Sequence, residues 1–364
     1  MLDVASGQYR PITGHAKYEG YPAFSPDGNY IAYQYPRDGQ IKNGSEIYVT
    51  RGVQGEGSDI SREINRNIVR ALWLPDSKSM LFGADDATTV GLWVQPLNGQ
   101  ATRLKIGDIC PSWAFWVDVS VGPHDEIAFT GSEPHRPTEL YYLPKPTAEP
   151  IRLTTFNAWS ESLEFGKTET IEWNSRDGYR EDGVLTYPPN FSSNQRYPLV
   201  LWIHGGPPAA SHDTFSPMTS LIAAQGWVVF EPNYRGSDNL GNKYQAAISD
   251  DAGEGPGRDV MAGLAEVKKR GFVDPSNIAV TGWSYGGFMT VWLLGHYGGW
   301  KAAIAGAAMT DWVEHYDLSD FNVRIADGFA AGPPGSPYVG NRMKAYVEQS
   351  PITYADKIKT PTLI

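Results

Sequence analysis

The sequence predicts two folds in series: about three blades of a β-propeller over residues 1–160, then an α/β domain over residues 161–364. Three observations predict it. Short strand-like runs recur in the first half at one spacing. Apolar runs alternate with helical periodicity in the second half. A serine flanked by glycines stands where one of those runs turns into a helix.

In the first half, AFSPDGNYIAYQ precedes EIYVT, LWLPDSKSMLFGA precedes GLWVQPLNGQATRL, and VGPHDEIAFTG precedes ELYYLPKPTAEPIRL. Each unit has a turn, an alternating strand, a gap, a second strand with aromatics and a closing polar strand. Pro26, Pro75 and Pro123 lie about 48–49 residues apart, a period expected of four-stranded blades. Alternation assigns each strand one buried and one exposed face. A plain antiparallel sandwich would use the same strands, but three matching units at one spacing favour the propeller. The opening LDVASGQYRPIT resembles PLNGQATRL and KPTAEPIRL, so it reads as the last strand of an earlier blade. Propellers close with about four to eight blades, and three would leave a raw sheet edge. The natural polypeptide is therefore expected to begin upstream of Met1.

Past Trp159 the composition shifts. ETIEWNSRDGYREDGVLTYPPNF still reads as strands. YPLVLWIHGGPP then gives a near-continuous apolar run ending at glycines, as in strands buried on both faces of a parallel sheet. Residues 216–225 read as a helix stopped by Gly226, and WVVFEP as a strand. RDVMAGLAEVKKRG has an apolar stripe, Asp259 near its start, basic residues near its end and Gly271 beyond, which is helix punctuation. IAVTG, AAIAGA and TPTLI are strands, and residues 285–297 a helix. Strands alternating with helices imply a parallel sheet.

TGWSYGGFMT occupies the junction between the strand NIAVTG and that helix. Gly282-Trp283-Ser284-Tyr285-Gly286 is the nucleophile-elbow pattern in the strand–turn–helix setting it requires. The turn is so tight that side chains beside Ser284 would collide with strand and helix, so glycine is needed on both sides. The serine is held in strained backbone with its hydroxyl raised above the sheet. A second motif, His204-Gly205-Gly206-Pro207, ends an earlier buried strand. Attack on a carbonyl places negative charge on oxygen, which needs preorganised N–H donors. The backbone N–H groups of Gly206 and Tyr285 are the candidates. His204 reads as a brace for this loop, because the base of such a fold comes last in chain order.

Four stretches carry a resemblance: LWIHGGP, NYRGSDNLG, VTGWSYGG and SPITYADKIKTPTLI. From about Glu169 onward the chain resembles the prolyl oligopeptidase family of serine peptidases, in particular its acylaminoacyl-peptidase and dipeptidyl-aminopeptidase-like branch. The resemblance implies an α/β-hydrolase domain behind a propeller that filters substrates by size, and cleavage of short peptides. It implies Ser284 as the nucleophile, with Gly206 and Tyr285 as oxyanion donors. Other branches take one donor from a tyrosine hydroxyl. The loop HGGPPAASHD has no tyrosine, which favours the backbone version. The family's acid and histidine follow the serine, the acid shortly after the strand beginning TPTLI. The histidines after Ser284 are His296, at the far end of the elbow helix, and His315, too early for the base. Both read as surface or packing. Asp311, Asp317, Asp320, Asp327 and Asp356 do not fit the family position. The expectation is an internal fragment, its hydrolase domain truncated at the C-terminal end, with little turnover of its own.

Bulk properties narrow the rest. A net charge of −11 argues against a nucleic-acid surface. One cysteine, Cys110, excludes an internal disulfide framework and reads as a small buried apolar residue. No apolar run is long enough for a membrane span, and no metal-ligand spacing stands out, so no cofactor is expected. DAGEGPGRD lacks the strand and Lys-Ser/Thr of a phosphate loop. AAGPPGSP reads as a flexible loop near the site mouth, and Arg235 first as a support for its own loop and second as a substrate contact. Trp283, Tyr285 and Phe288 are open to two readings, pocket lining or core. MLDVASGQYR is no signal peptide, so a cytoplasmic location is expected, although a leader upstream of Met1 would escape notice. Three functional readings stand: a serine peptidase releasing N-terminal or N-acylated residues from short peptides, a carboxylesterase of the same fold, and a non-catalytic propeller scaffold. Homo-oligomer formation is left open.

Overall fold

The computed structural model describes residues 1–15, 17–52, 55–112, 117–320 and 335–364. The chain divides into two units: residues 1–86, 90–132 and 138–157 form one, and residues 87–89, 133–137 and 158–364 the other.

The first unit holds three antiparallel sheets, and each repeated sequence motif falls within one of them. The first sheet joins β1 (Gly20–Phe24), β2 (Tyr30–Pro36), β3 (Ser45–Arg51) and β4 (Ser58–Asp59). The second joins β5 (Arg70–Trp73), β6 (Ser79–Asp86), β7 (Thr89–Pro96) and β8 (Thr102–Arg103). The third contains β9 (Cys110–Pro111), β10 (Val119–Val121), β11 (Ile127–Glu133), β12 (Arg136–Leu143) and β13 (Ile151–Arg152). The three spaced prolines sit in the turns between the first and second long strands. The aspartates that follow two of them close those turns: Asp27 accepts the Asn29 N–H at 3.0 Å and Asp76 the Ser79 N–H at 2.9 Å, which is turn chemistry written locally.

Two expectations fail here. Strand β6 is buried on both faces rather than one, because Met80, Phe82 and Ala84 pack toward Ile47 and Val49 of the first sheet, whereas Leu81 packs toward Val119 and Phe129 of the third. The middle sheet of a stack has no solvent face. The opening segment is not a ladder strand. Leu2 and Tyr9 bridge each other across a turn in which Asp3 accepts the Ser6 N–H (2.8 Å) and Gly7 takes a φ of +68°, so local turn chemistry wins.

The second unit is built on a seven-stranded sheet of order β14-β15-β17-β16-β18-β19-β20, with β14 (Thr168–Asn174), β15 (Arg180–Thr186), β16 (Tyr197–Ile203), β17 (Val228–Pro232), β18 (Val273–Trp283), β19 (Ala302–Gly306) and β20 (Thr362–Leu363). Strands β14, β15 and β17 pair antiparallel, and β17 through β20 are parallel. Helices α1 (Pro217–Ala224), α2 (Asn242–Ala246), α3 (Glu254–Lys269), α4 (Tyr285–His296) and α5 (Trp312–Leu318) connect them. Helix α3 starts earlier than the apolar stripe indicates. Asp251 accepts from the N–H groups of Glu254 and Gly255, both at 2.9 Å, and so caps the glycine-rich turn. That turn packs on Trp292: a Cβ on Gly257 would lie 3.3 Å from the indole. Phe288, Leu293, Val280, Leu201 and Phe230 are fully buried in one core.

A charged cluster runs from that core to the surface. Arg235 donates to both oxygens of Asp259 (2.7 and 2.6 Å) and to Asp177 (2.5 Å). It therefore fixes its loop, as the sequence indicated. Glu181 accepts from the Trp173 indole at 2.6 Å. Burial, and then the neighbouring Asp259 carboxylate, push the Glu181 carboxyl far above its ordinary range. A raised acid holds its proton in the folded state while the unfolded chain releases it, so stability falls as pH climbs from about 5 toward alkaline values. Glu181→Gln is expected to flatten that fall and to leave stability near pH 5 little changed, which urea denaturation across the pH range would show.

Candidate active site

Two loops meet because their strands are neighbours. β16 and β18 pair in parallel with Ile203 opposite Gly282, so both chains leave the sheet at the same edge, where open α/β sheets place their ligands. The glycines make the meeting sterically possible. A Cβ on Gly286 would overlap the Ile203 carbonyl oxygen, one on Gly282 would come within 2.6 Å of it, and one on Gly205 would lie 2.8 Å from the Trp283 carbonyl oxygen. Gly206 has φ +124°, a conformation that only glycine adopts without strain.

Ser284 takes φ +58° and ψ −120°, a rarely populated combination that costs a non-glycine residue about 1–3 kcal/mol. Its side chain is exposed. The turn is held by the Ser284 N–H on the Gly306 carbonyl and the Phe288 N–H on the Ser284 carbonyl, both 2.9 Å. Tyr285 is the first residue of α4, so its N–H has no acceptor within the helix. The Tyr285 ring is buried, with its hydroxyl donating to the Ala252 carbonyl at 2.6 Å. Ser284, Gly206 and Tyr285 line one cleft of about 470 Å³.

His204 is tied into the scaffold. Its Nδ1 donates to the Gly205 carbonyl (2.8 Å), which leaves Nε2 to accept from Ser237 (3.0 Å), and the ring stacks on Tyr234 at 4.4 Å. The Tyr234 hydroxyl donates to the His204 carbonyl at 2.7 Å. His296 bonds the Trp292 carbonyl (2.8 Å) and stacks on that indole. Phe288 belongs to the core and Trp283 is 68% exposed. Asp311 caps α5 by accepting from Val313 at 2.8 Å, and Asp317 accepts from the Tyr338 hydroxyl. Asp327, and most of the stretch read as a flexible loop, lie outside the described residues.

The far wall of the cleft escaped sequence reading. It is formed by residues 307–310 after β19 and by Asp311, Glu314, His315 and Leu318 of the α5 region. His315, expected to be surface or packing, packs edge-on against Trp312 at 5.9 Å and also lines the cleft. Burial lowers its pKa, which favours the neutral ring. The available signal was topological: β19 lies beside β18, so the loop after it opens at the same sheet edge. Among the described residues Ser284 has no hydrogen bond to a histidine, no cluster of three or more His, Cys, Asp and Glu could hold a metal ion, and no helix is long and apolar enough to cross a membrane.

Residues 213–364 match the family model described as the prolyl oligopeptidase family. Over those residues the chain is similar to that family. It is 30% identical to the dipeptidyl-peptidase 5 of Porphyromonas gingivalis over 82% of this chain and 43% of that one. Against the uncharacterized peptidase YuxL of Bacillus subtilis it is 27% identical over 100% of this chain and 64% of that one. The chain thus spans less than two thirds of the length of either of these two proteins. Among solved structures, the Pyrococcus horikoshii acylaminoacyl peptidase superposes with a TM-score of 0.79 at 22% identity, covering 94% of this chain and 52% of that one. A puromycin-hydrolyzing peptidase of Mycobacterium tuberculosis gives 0.71 at 18% identity, covering 97% and 61%. At these identities the likeness is one of fold.

Proposed function

We propose that the protein is a serine peptidase of prolyl oligopeptidase type, acting on short peptides and releasing N-terminal or N-acylated residues. Ser284 attacks the scissile carbonyl carbon, forming an acyl-enzyme and expelling the amine. The N–H groups of Gly206 and Tyr285 stabilise the oxyanion. The proton acceptor for the serine and its orienting acid come from outside these 364 residues. The chain alone therefore turns over little substrate, since a serine hydroxyl is a weak nucleophile without a base. The three sheets of the first unit act as propeller blades that limit substrate size. The observation that carries the reading is the exposed Ser284 side chain on strained backbone, in one cleft with Gly206 and Tyr285. A binding scaffold has no use for that strain.

Treating the complete enzyme with a fluorophosphonate probe tests it. One modified residue, Ser284, is expected, and no modification in Ser284→Ala. An unlabelled complete enzyme would sink the peptidase reading. A kcat/KM higher on a p-nitrophenyl ester than on an acyl-amino-acid anilide would move the assignment to a carboxylesterase.

A further inference from the structure

A second cavity of about 340 Å³ lies in the second unit and shares no lining residue with the Ser284 cleft. Its floor is the face of the sheet covered by α1. Pairing of Val184 with Glu231, and of Thr168 with Thr186, puts these side chains on that face. Most of the walls are apolar: Leu163, Phe165, Phe215, Leu221 and Ala223 among them. Phe165 is the centre of an aromatic run, stacked on His135 at 5.9 Å and met edge-on by Phe215 at 5.7 Å. Trp159, 56% exposed, stands among the lining residues.

The polar content is hydroxyls, one histidine (His135) and two carboxylates. The lining includes Glu231 and Glu164 and no lysine or arginine. Glu231 is half-buried and opens partly onto the cavity. Thr219 hydrogen-bonds it, and burial pushes its carboxyl up to about 7. A strand built for packing alone would carry an apolar residue here, as Val229 does two positions earlier on the same face. A desolvated carboxylate gains most from a cation that can also take its remaining lone pairs. At about 340 Å³ the space is near the lower end, about 300 Å³, of small-molecule sites.

We propose that this cavity is a ligand site for a small amphiphilic amine, its ammonium on Glu231 and Thr219 and its apolar part against Phe165 and Phe215. The inference does not depend on the peptidase reading. Isothermal titration of the 364-residue chain with phenethylamine and with its neutral counterpart 2-phenylethanol, near about pH 8 where Glu231 is ionised, tests it. The amine is expected to bind roughly tenfold or more tightly than the alcohol. Glu231→Gln should remove that preference, Phe215→Ala should weaken both ligands, and Ser284→Ala should change neither. Equal binding of the two probes to the unaltered chain would overturn the proposal, as would no binding of the amine up to about 10 mM. Loss of amine binding in Ser284→Ala would also overturn it, by placing the ligand in the other cleft. The comparison of amine and alcohol is made on the unaltered chain, so it decides even if a variant fails to fold.

Discussion

With glycine in place of Ser284, the protein is expected to become more stable than with alanine there, and to lose its chemistry in both cases. The backbone at this position has φ +58° and ψ −120°. Alanine inherits the strain of that conformation, about 1–3 kcal/mol. Glycine relieves it and gives back about 0.5–1 kcal/mol through the greater freedom of its unfolded chain. The glycine variant should therefore exceed the alanine variant by about 1 kcal/mol, read from urea midpoints at constant slope. In the complete enzyme, turnover of an acyl-amino-acid anilide should fall by at least about 10⁴-fold in either variant, because the residual rate comes from the oxyanion donors and binding alone. Alanine proving the more stable substitution would show that the bend stores no strain. Retained turnover would remove Ser284 from the mechanism.

Gly286→Ala is expected to be among the most damaging single-methyl changes in the second unit, and one that bears on the cleft. The added Cβ would overlap the Ile203 carbonyl oxygen and come within 3.0 Å of the His204 carbonyl oxygen. Both obstacles are backbone. They belong to the end of β16 and to the loop that carries Gly206, so relief requires α4 to withdraw from the sheet. Overpacking of this kind costs about 1–3 kcal/mol and falls at the upper end where the obstacle is backbone. It should also part the two loops that line the cleft, so fluorophosphonate labelling of the complete enzyme should drop in the fraction that still folds. Gly298→Ala is the control. Nothing lies within 4 Å of its Cβ position, and its effect should stay within about 0.5 kcal/mol. Equal effects of the two substitutions would mean that helix and strand are less tightly apposed than the contact indicates.

Much of this molecule is written over short distances along the chain. The blade-like units announce themselves through Pro26, Pro75 and Pro123 and the turn residues beside them. The elbow is legible because strand, glycine, serine, glycine and helix are consecutive, and the steric reason for each glycine is local to a few residues. The bounds of α1 follow from Ser216, whose hydroxyl accepts the Thr219 N–H at 3.2 Å, and from Gly226, whose φ is +82°. Helix α3 was legible in its body but not in its start, because Gly253 and Gly257 are selected by Trp292, far along the chain.

The features that escaped have a common cause. Strand β6 is buried on both faces because it lies between two other sheets, and its own alternation cannot report that. His315 reads as surface or packing until β19 is found beside β18, which brings the segment after it to the rim of the Ser284 cleft. Glu231 is one polar residue in an apolar strand; it becomes a half-buried carboxylate lining a cavity only once α1 covers that face of the sheet. The order of residues was thus enough to specify which turns are tight, which helices are capped and which serine is raised. It could not specify which strands lie side by side or which faces are covered, because those depend on apolar surfaces distant in the chain finding one another, and an effect proportional to buried area carries no label for its partner.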